Sequence, residues 1–465
     1  MNMINVRRLT VMTFLGAGML SGISAQVSPL QVDTLKETKI PDQWDLQSCI
    51  DYAKEQNITI RKNRITAAST QIDVKTAKAA MFPSLSFSTS QQVVNRPYQE
   101  TSSRVSGNEI ISSNSKTSYN GNYGLNASWT LYNGNKRVKT IQQEKLNNQM
   151  AELDVATSEN NIQESIAQVY IQILYAAESV KVNENTLQVS IAQRDRGQEL
   201  LNAGSIAKSD LAQLEAQVST DRYQLVTAQA TLEDYKLQLK QLLELDGENE
   251  MNIYLPALSD ENVLAPLPTK RDVYISALSL RPEIEASKLN VEASELGINI
   301  AKSSYFPTIS LSAGIGTNHT SGSDFTFGEQ VKNGWNNSIG LSVSVPIFNN
   351  RQTKSAVQKA KLQYETSMLS LLDEQKALYK TIESLWLDAN SAQQRYAAAN
   401  EKLKSTQISY ELISEQFNLG MKNTVELLTE KNNLLQAQQE QLQAKYMAIL
   451  NTQLLKFYQG DQLAL

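Results

Sequence analysis

The stretch Ala77-Lys-Ala-Ala-Met-Phe-Pro83-Ser-Leu-Ser86 decides the fold, because the chain writes it twice. It returns as Ala301-Lys-Ser-Ser-Tyr-Phe-Pro307-Thr-Ile-Ser310. In each copy a helical pattern runs into proline and an alternating pattern follows. Proline lacks a donor N–H and restrains the residue before it, so Pro83 and Pro307 are read as helix-to-strand junctions.

Two further landmarks repeat. Leu131-Tyr-Asn-Gly134 returns as Ile347-Phe-Asn-Asn350, and Leu201-Asn-Ala-Gly204 as Phe417-Asn-Leu-Gly420. Pro83 and Pro307 lie 224 positions apart, while the other two pairs lie 216 apart. The difference falls in the loop between the first two landmarks. The chain is therefore read as two structural repeats, 26–245 and 271–460, with a linker at 246–270 and a short tail at 461–465. Asp246-Gly247, Pro256, Pro266 and Pro268 mark the linker.

Each repeat has the order helix, strand, loop, strand, long helix, turn, helix. Helices are expected over 46–80, 137–201 and 208–243, then over 272–304, 352–417 and 424–458. Strands are expected over 84–94, 121–131, 308–316 and 336–346, and plain loops over 95–118 and 317–335.

The long helices carry heptad spacing. Leu378, Ile382, Leu385, Ala389, Ala392, Tyr396 and Ala399 follow alternating steps of three and four. Leu211, Leu214, Val218, Leu225, Ala228, Leu232, Tyr235, Leu239 and Leu242 do the same, broken only by Asp221. A sustained 3.5-residue period implies coiled-coil packing. A helix of about 65 residues is about 95 Å long at 1.5 Å per residue. Two short helices stacked end to end would match one long one, giving a uniform cylinder.

The strands alternate between two faces. Tyr123, Leu125, Ala127, Trp129 and Leu131 interleave with Asn122, Gly124, Asn126, Ser128 and Thr130. Ile339, Leu341, Val343, Val345 and Ile347 interleave with Ser338, Gly340, Ser342, Ser344 and Pro346. Alternation alone would also describe a soluble half-buried sheet. A secretory signal read over residues 1–25, and the position of each strand pair between long helices, favour a membrane β-barrel. Four strands cannot close, and an open edge in lipid leaves donors and acceptors unpaired at several kcal/mol each. Two copies would give a filled eight-stranded barrel, three a twelve-stranded one with a lumen. A passage function favours three.

Composition sets the limits. Of 465 residues the formal net charge is −5, which gives no basic footprint for nucleic acid. Arg7 and Arg8, an apolar run from Leu9 to Ile23 and Ser24-Ala25 read as a signal peptide over 1–25. Gln26 would follow, so no lipid anchor is expected. Cys49 is the only cysteine and His319 the only histidine. Cys49 is read as a small packing residue, and His319 as surface decoration in a Gly/Ser/Thr-rich loop. No cofactor, metal site or catalytic cluster is expected, and the chain is not read as an enzyme.

Asp45-Leu-Gln-Ser-Cys-Ile-Asp-Tyr-Ala53, Leu280-Arg-Pro-Glu-Ile284 and the doubled Phe-Pro, Tyr-Asn-Gly and Phe-Asn-Asn landmarks resemble the outer membrane efflux proteins, the TolC family, over nearly all the chain after its leader. The resemblance implies a homotrimer in which a twelve-stranded β-barrel continues into a twelve-helix periplasmic tunnel. It implies the outer membrane of a Gram-negative bacterium as location. A periplasmic adaptor, an inner-membrane transporter and outer-membrane lipid would be the partners.

The resemblance also assigns residues. Ala203, Gly204, Ser205, Leu419, Gly420 and Met421 would form the helix turns that dock the adaptor. Ser209 and Asp210 match the hydroxyl and acid of the family's periplasmic gate. Lys422 stands where arginine is found, Phe417 replaces a tyrosine, and Glu426 matches the first acid of a ring that narrows the mouth. Thr429 replaces the second ring acid, and Glu430 is the candidate substitute. The implied function is the exit duct of a tripartite efflux pump for small toxic compounds. The alternatives are a type I protein secretion channel with the same fold, and a periplasmic coiled-coil structural protein.

Overall fold

Asp45 starts the first helix by accepting from the Ser48 amide at 2.7 Å. The computed structural model describes residues 40–98, 102–106, 109–113, 116–246, 251–256, 263–323 and 325–463. The signal-peptide reading of residues 1–25 lies outside them. Helices α1 (Leu46–Gln56) and α2 (Ile58–Ala79) lead to β1 (Ser84–Asn95). A hairpin β2 (Ser102–Ser106) and β3 (Glu109–Ser113) precedes β4 (Thr117–Asn133), then α3 (Lys136–Asn202) and α4 (Lys208–Leu242). The second half runs α5 (Lys270–Leu280), α6 (Pro282–Ser303), β5 (Thr308–Thr320), α7 (Phe327–Asn333), β6 (Asn336–Ser344), α8 (Gln352–Asn418) and α9 (Thr424–Gln459). All these elements lie within one unit, Asp42–Leu465.

The two halves share backbone detail. Left-handed residues stand at Gly134 and Asn350, Asn135 and Arg351, Gly204 and Gly420, and Glu244 and Gly460. Each pair is 216 positions apart.

Each expected leading helix is broken in two. Asn57 is extended, and its side-chain oxygen accepts from the Thr59 and Ile60 amides, so it ends α1 and caps α2. Arg281 is extended because Pro282 follows, and Pro282 takes the first position of α6. The two breaks are 224 positions apart, the same offset as Pro83 and Pro307.

The main sheet is antiparallel in the order β1-β4-β5-β6. Tyr123 pairs with Thr317 and Leu125 with Ile315, which joins the halves. β1 and β6 form the two open edges. β6 stops at Ser344, short of Pro346, which cannot donate to a ladder. The loop expected over 95–118 contains the β2–β3 hairpin instead. The loop expected over 317–335 is also shortened. β5 extends to Thr320, and α7 forms on a capping box between Thr326 and Glu329.

The core lies midway along the helices. Trp44, Cys49, Ile50, Tyr170, Leu174, Leu239, Leu243, Tyr396 and Tyr446 are buried together there. Residues 252–254 add a short parallel bridge to Trp44, and the Tyr170 hydroxyl donates to the Tyr254 carbonyl at 2.6 Å. Val273, Ala277, Ile284, Ile382 and Leu455 form a second cluster. The expected end-to-end stacking is present. Asn57 Nδ2 donates to the Leu242 carbonyl at 3.0 Å, and the Ile58 amide to Glu244 Oε1 at 3.2 Å, so α4 abuts α2. In the second half, the guanidinium of Arg281, at the break between α5 and α6, lies 4.3 Å from the ring centroid of Tyr458 near the end of α9.

Candidate channel wall and closing end

The pairing register sorts the strand residues onto two faces. Leu85, Phe87, Leu125, Ala127, Leu311, Ala313, Ile315, Ile339, Leu341 and Val343 share one face. Ser86, Ser88, Asn126, Ser128, Ser310, Ser312, Gly314, Gly340 and Ser342 share the other. The first face is open in the single chain: Phe87 is 68% and Ile339 84% exposed. No Asp, Glu, Lys or Arg occurs in β1, β4, β5 or β6. Such a sheet offers hydrocarbon to one side and small neutral polar groups to the other.

His319 is not loop decoration. It is a half-buried residue of β5, stacked on Tyr123 with ring centroids 5.9 Å apart and edge-on to Phe327 of α7 at 5.1 Å. It lies over Gly121, where a Cβ would meet its ring. The longer β5 and the added helix put it there.

At the far end of the helices, the two turns have one geometry. Gly204 and Gly420 both have φ +72°. The Ser205 amide donates to the Leu200 carbonyl at 2.8 Å, and Met421 to Gln416 at 2.9 Å. This is a glycine-terminated helix end in which the crossing bond satisfies a late carbonyl. Ala203, Gly204, Ser205, Leu419, Gly420 and Met421 are all exposed. Leu419 and Met421 are each about 70% exposed, which makes the second turn apolar.

The gate candidates are satisfied within the chain. Asp210 accepts from the Ala207 amide at 3.0 Å, and Ser209 faces solvent. Lys422 pairs with Glu426 at 2.6 Å. Glu426 also closes a capping box with Asn423, whose side chain accepts from the Glu426 amide at 2.9 Å. The Lys422 hydrogen bond, then the Asn423 amide, hold the Glu426 carboxyl below its ordinary range. Glu430 accepts from Ser409 of α8 at 2.9 Å. Phe417 is buried at the turn. The structure thus brings Lys422 to Glu426, not to Ser209 or Asp210.

Two polar clusters escaped the sequence reading. Arg281 is buried and donates to Glu164 at 3.1 Å and Glu283 at 2.7 Å. Burial raises the Glu164 carboxyl despite that guanidinium. The second cluster joins Ser190 of α3, Asp221 of α4 and Lys431 of α9, all buried. Burial depresses the Lys431 ammonium, and Asp221 opposes the shift. Its only trace in the sequence was Asp221 interrupting an apolar series. Among the described residues, no group of three or more His, Cys, Asp or Glu is placed to hold a metal ion.

Comparison with known proteins gives consistent matches. The model of the outer membrane efflux protein family matches residues 49–244 and 273–460. The chain is similar to the outer membrane efflux protein BepC of Brucella suis biovar 1, at 24% identity over 63% of this chain and 61% of that one. It is similar to the outer membrane protein TolC of Escherichia coli K12, at 24% identity over 68% of this chain. The match spans 64% of the TolC length, so in both cases the chain covers a little under two thirds of its relative. Among solved structures, that of CusC superposes with a TM-score of 0.75 at 19% identity, covering 90% of this chain and 92% of that one.

Proposed function

Because the chain belongs to the outer membrane efflux protein family, we propose that it is the outer-membrane channel subunit of a tripartite efflux pump. It acts as a passive exit duct for small toxic compounds. The family is one of channel proteins, and the substrate path supplies position and solvent, not catalysis.

The observation that carries this reading is the incomplete sheet. It has an apolar face, a small polar face and two unpartnered edges, β1 and β6. In hydrocarbon those edges demand partners. Three copies supply twelve strands, and a ring of that size leaves an aqueous lumen. The neutral Ser, Gly and Asn face lines the water. The helices support the same arrangement. Ile58, Ile65 and Ile72 repeat every seven residues along α2 and are all exposed, as are Leu362 and Leu369 on α8. A heptad stripe left open after a chain has packed its own core calls for helices of another copy.

The helical part continues the barrel into the periplasm, and the Gly204 and Gly420 turns form its closing end. The exposed apolar Leu419 and Met421, with Ala203 and Ser205, dock a periplasmic adaptor, which links the duct to an inner-membrane transporter. Lys422, Glu426 and Glu430 place charge near the mouth.

The test is cross-linking in intact cells, extraction in mild detergent and purification of the tagged full chain. A trimer that brings a periplasmic adaptor with it supports the reading. Extraction as a monomer without detergent overturns it.

A further inference from the structure

Asp221 stands in the apolar seam of α4, where a hydrophobic residue would otherwise pack. It accepts from the Lys431 ammonium of α9 and the Ser190 hydroxyl of α3, and Lys431 also reaches that hydroxyl. The three residues are 2%, 3% and 2% exposed. Gln217 donates to Asp221 at 2.8 Å and to Asn432 of α9 at 3.3 Å.

Other polar ties lie nearby. Gln193 of α3 donates to the Tyr410 hydroxyl of α8 at 2.9 Å, and Ser409 of α8 to Glu430 of α9 at 2.9 Å. The contacts run α3 to α4, α4 to α9, α9 to α8 and α8 back to α3. They form a closed circuit through all four helices that end at the turns. Counting from the helix starts at Lys208 and Thr424, Asp221 lies about 20 Å and Lys431 about 10 Å along.

Taking an ammonium and a carboxylate out of water is costly, and a well-packed apolar pair often stabilises as much. What the ion pair adds is position. Sliding α4 one turn past α9 would leave both charges buried without partners. A single polar residue in a heptad seam fixes register in this way. The central core also holds the two hairpins together, through Tyr170 and Leu174 of α3 with Tyr396 of α8 and Tyr446 of α9, but it lies well away from the turns. α9 packs along α8 and α3 but touches α4 only briefly. A pocket of about 120 Å³ between α3, α8 and α9, lined by Val182, Val189, Tyr410, Lys431 and Leu434 among others, lies beside Lys431.

We propose that Ser190, Asp221 and Lys431 are positioning residues for the closing end. They lock the axial register of the α3–α4 hairpin against the α8–α9 hairpin, and so set the aperture at the Gly204 and Gly420 turns. The inference rests on the reading that these turns form the closing end.

The test is single-channel conductance of the purified full chain in planar bilayers. The neutral pair Asp221→Leu with Lys431→Met fills the seam with apolar groups and leaves no buried charge alone. It is expected to assemble and to raise conductance severalfold. The reversed pair Asp221→Lys with Lys431→Asp is expected to stay within twofold of the native channel. A neutral pair within twofold of native overturns the lock, as does a reversed pair as leaky as the neutral one. Lys422→Ala, at the turn itself, separates the two levels. If it raises conductance while the neutral pair does not, only the lock fails. If no variant changes conductance, the closing-end reading fails and the lock with it.

Discussion

Asn57 Nδ2 donates to the Leu242 carbonyl at 3.0 Å, across 185 positions of sequence. The side-chain oxygen of Asn57 caps α2 while its amide group receives the end of α4. One residue thereby turns two short helices into a continuous column beside α3. Asn57→Ala removes both the cap and the splice. The expected loss is about 1–2 kcal/mol. A lower midpoint in denaturant unfolding checks it, with Asn57→Asp, which keeps the cap, falling between the two.

Arg281 serves the matching position in the second half by other means. It lies between Glu164 and Glu283 and over the Tyr458 ring. Arg281→Met strands two part-buried carboxylates without a cation. Breaking such a cluster from one side costs about 3–5 kcal/mol. Arg281→Lys keeps the charge but not the forked donor and is expected to lose less. Thermal unfolding of the detergent-solubilised protein reads both.

Cys49 is fully buried in the central core, and burial, aided by the Asp45 charge, pushes its thiol up to about 12. It is expected to resist a thiol reagent at pH 8 in the native protein and to react fully once unfolded. Rapid native labelling would mean that the α1 region opens locally.

Glu426 has a depressed pKa in the folded chain, from an ordinary value of 4.5. A depressed carboxyl contributes above its unfolded value and loses that contribution as pH falls through the folded one. The protection of the first-turn amides of α9, measured against the intrinsic exchange rate at each pH, is therefore expected to be higher at pH 6 and to fall as the pH drops well below 4.5. Glu426→Gln should abolish that pH dependence. An unchanged pH profile in the variant would remove Glu426 from the cap.

Most element ends were legible in the sequence because they rest on local chemistry. Pro83, Pro307, Gly204 and Gly420 each constrain their own backbone, and α3 and α8 end within two residues of expectation. The two faces of the strands were legible because side chains alternate with a period of two, whereas the pairing order and register were not read from the sequence. The break at Asn57 was not, since asparagine inside an apolar period reads equally as a solvated helical residue until the distant Leu242 carbonyl is found. Asp221 was visible as an anomaly, but its partner lies 210 positions away. His319 was misread because the stacking that buries it depends on α7, whose capping box sits in a polar stretch without apolar period.

The proposed channel requires β1 and β6 to be joined to other copies of the chain. Amide hydrogen exchange on the full chain purified in mild detergent tests it directly. The edge strands Ser84–Asn95 and Asn336–Ser344 are expected to be protected as strongly as the interior pair β4 and β5. Free exchange along both edges, with protection confined to β4 and β5, would contradict it.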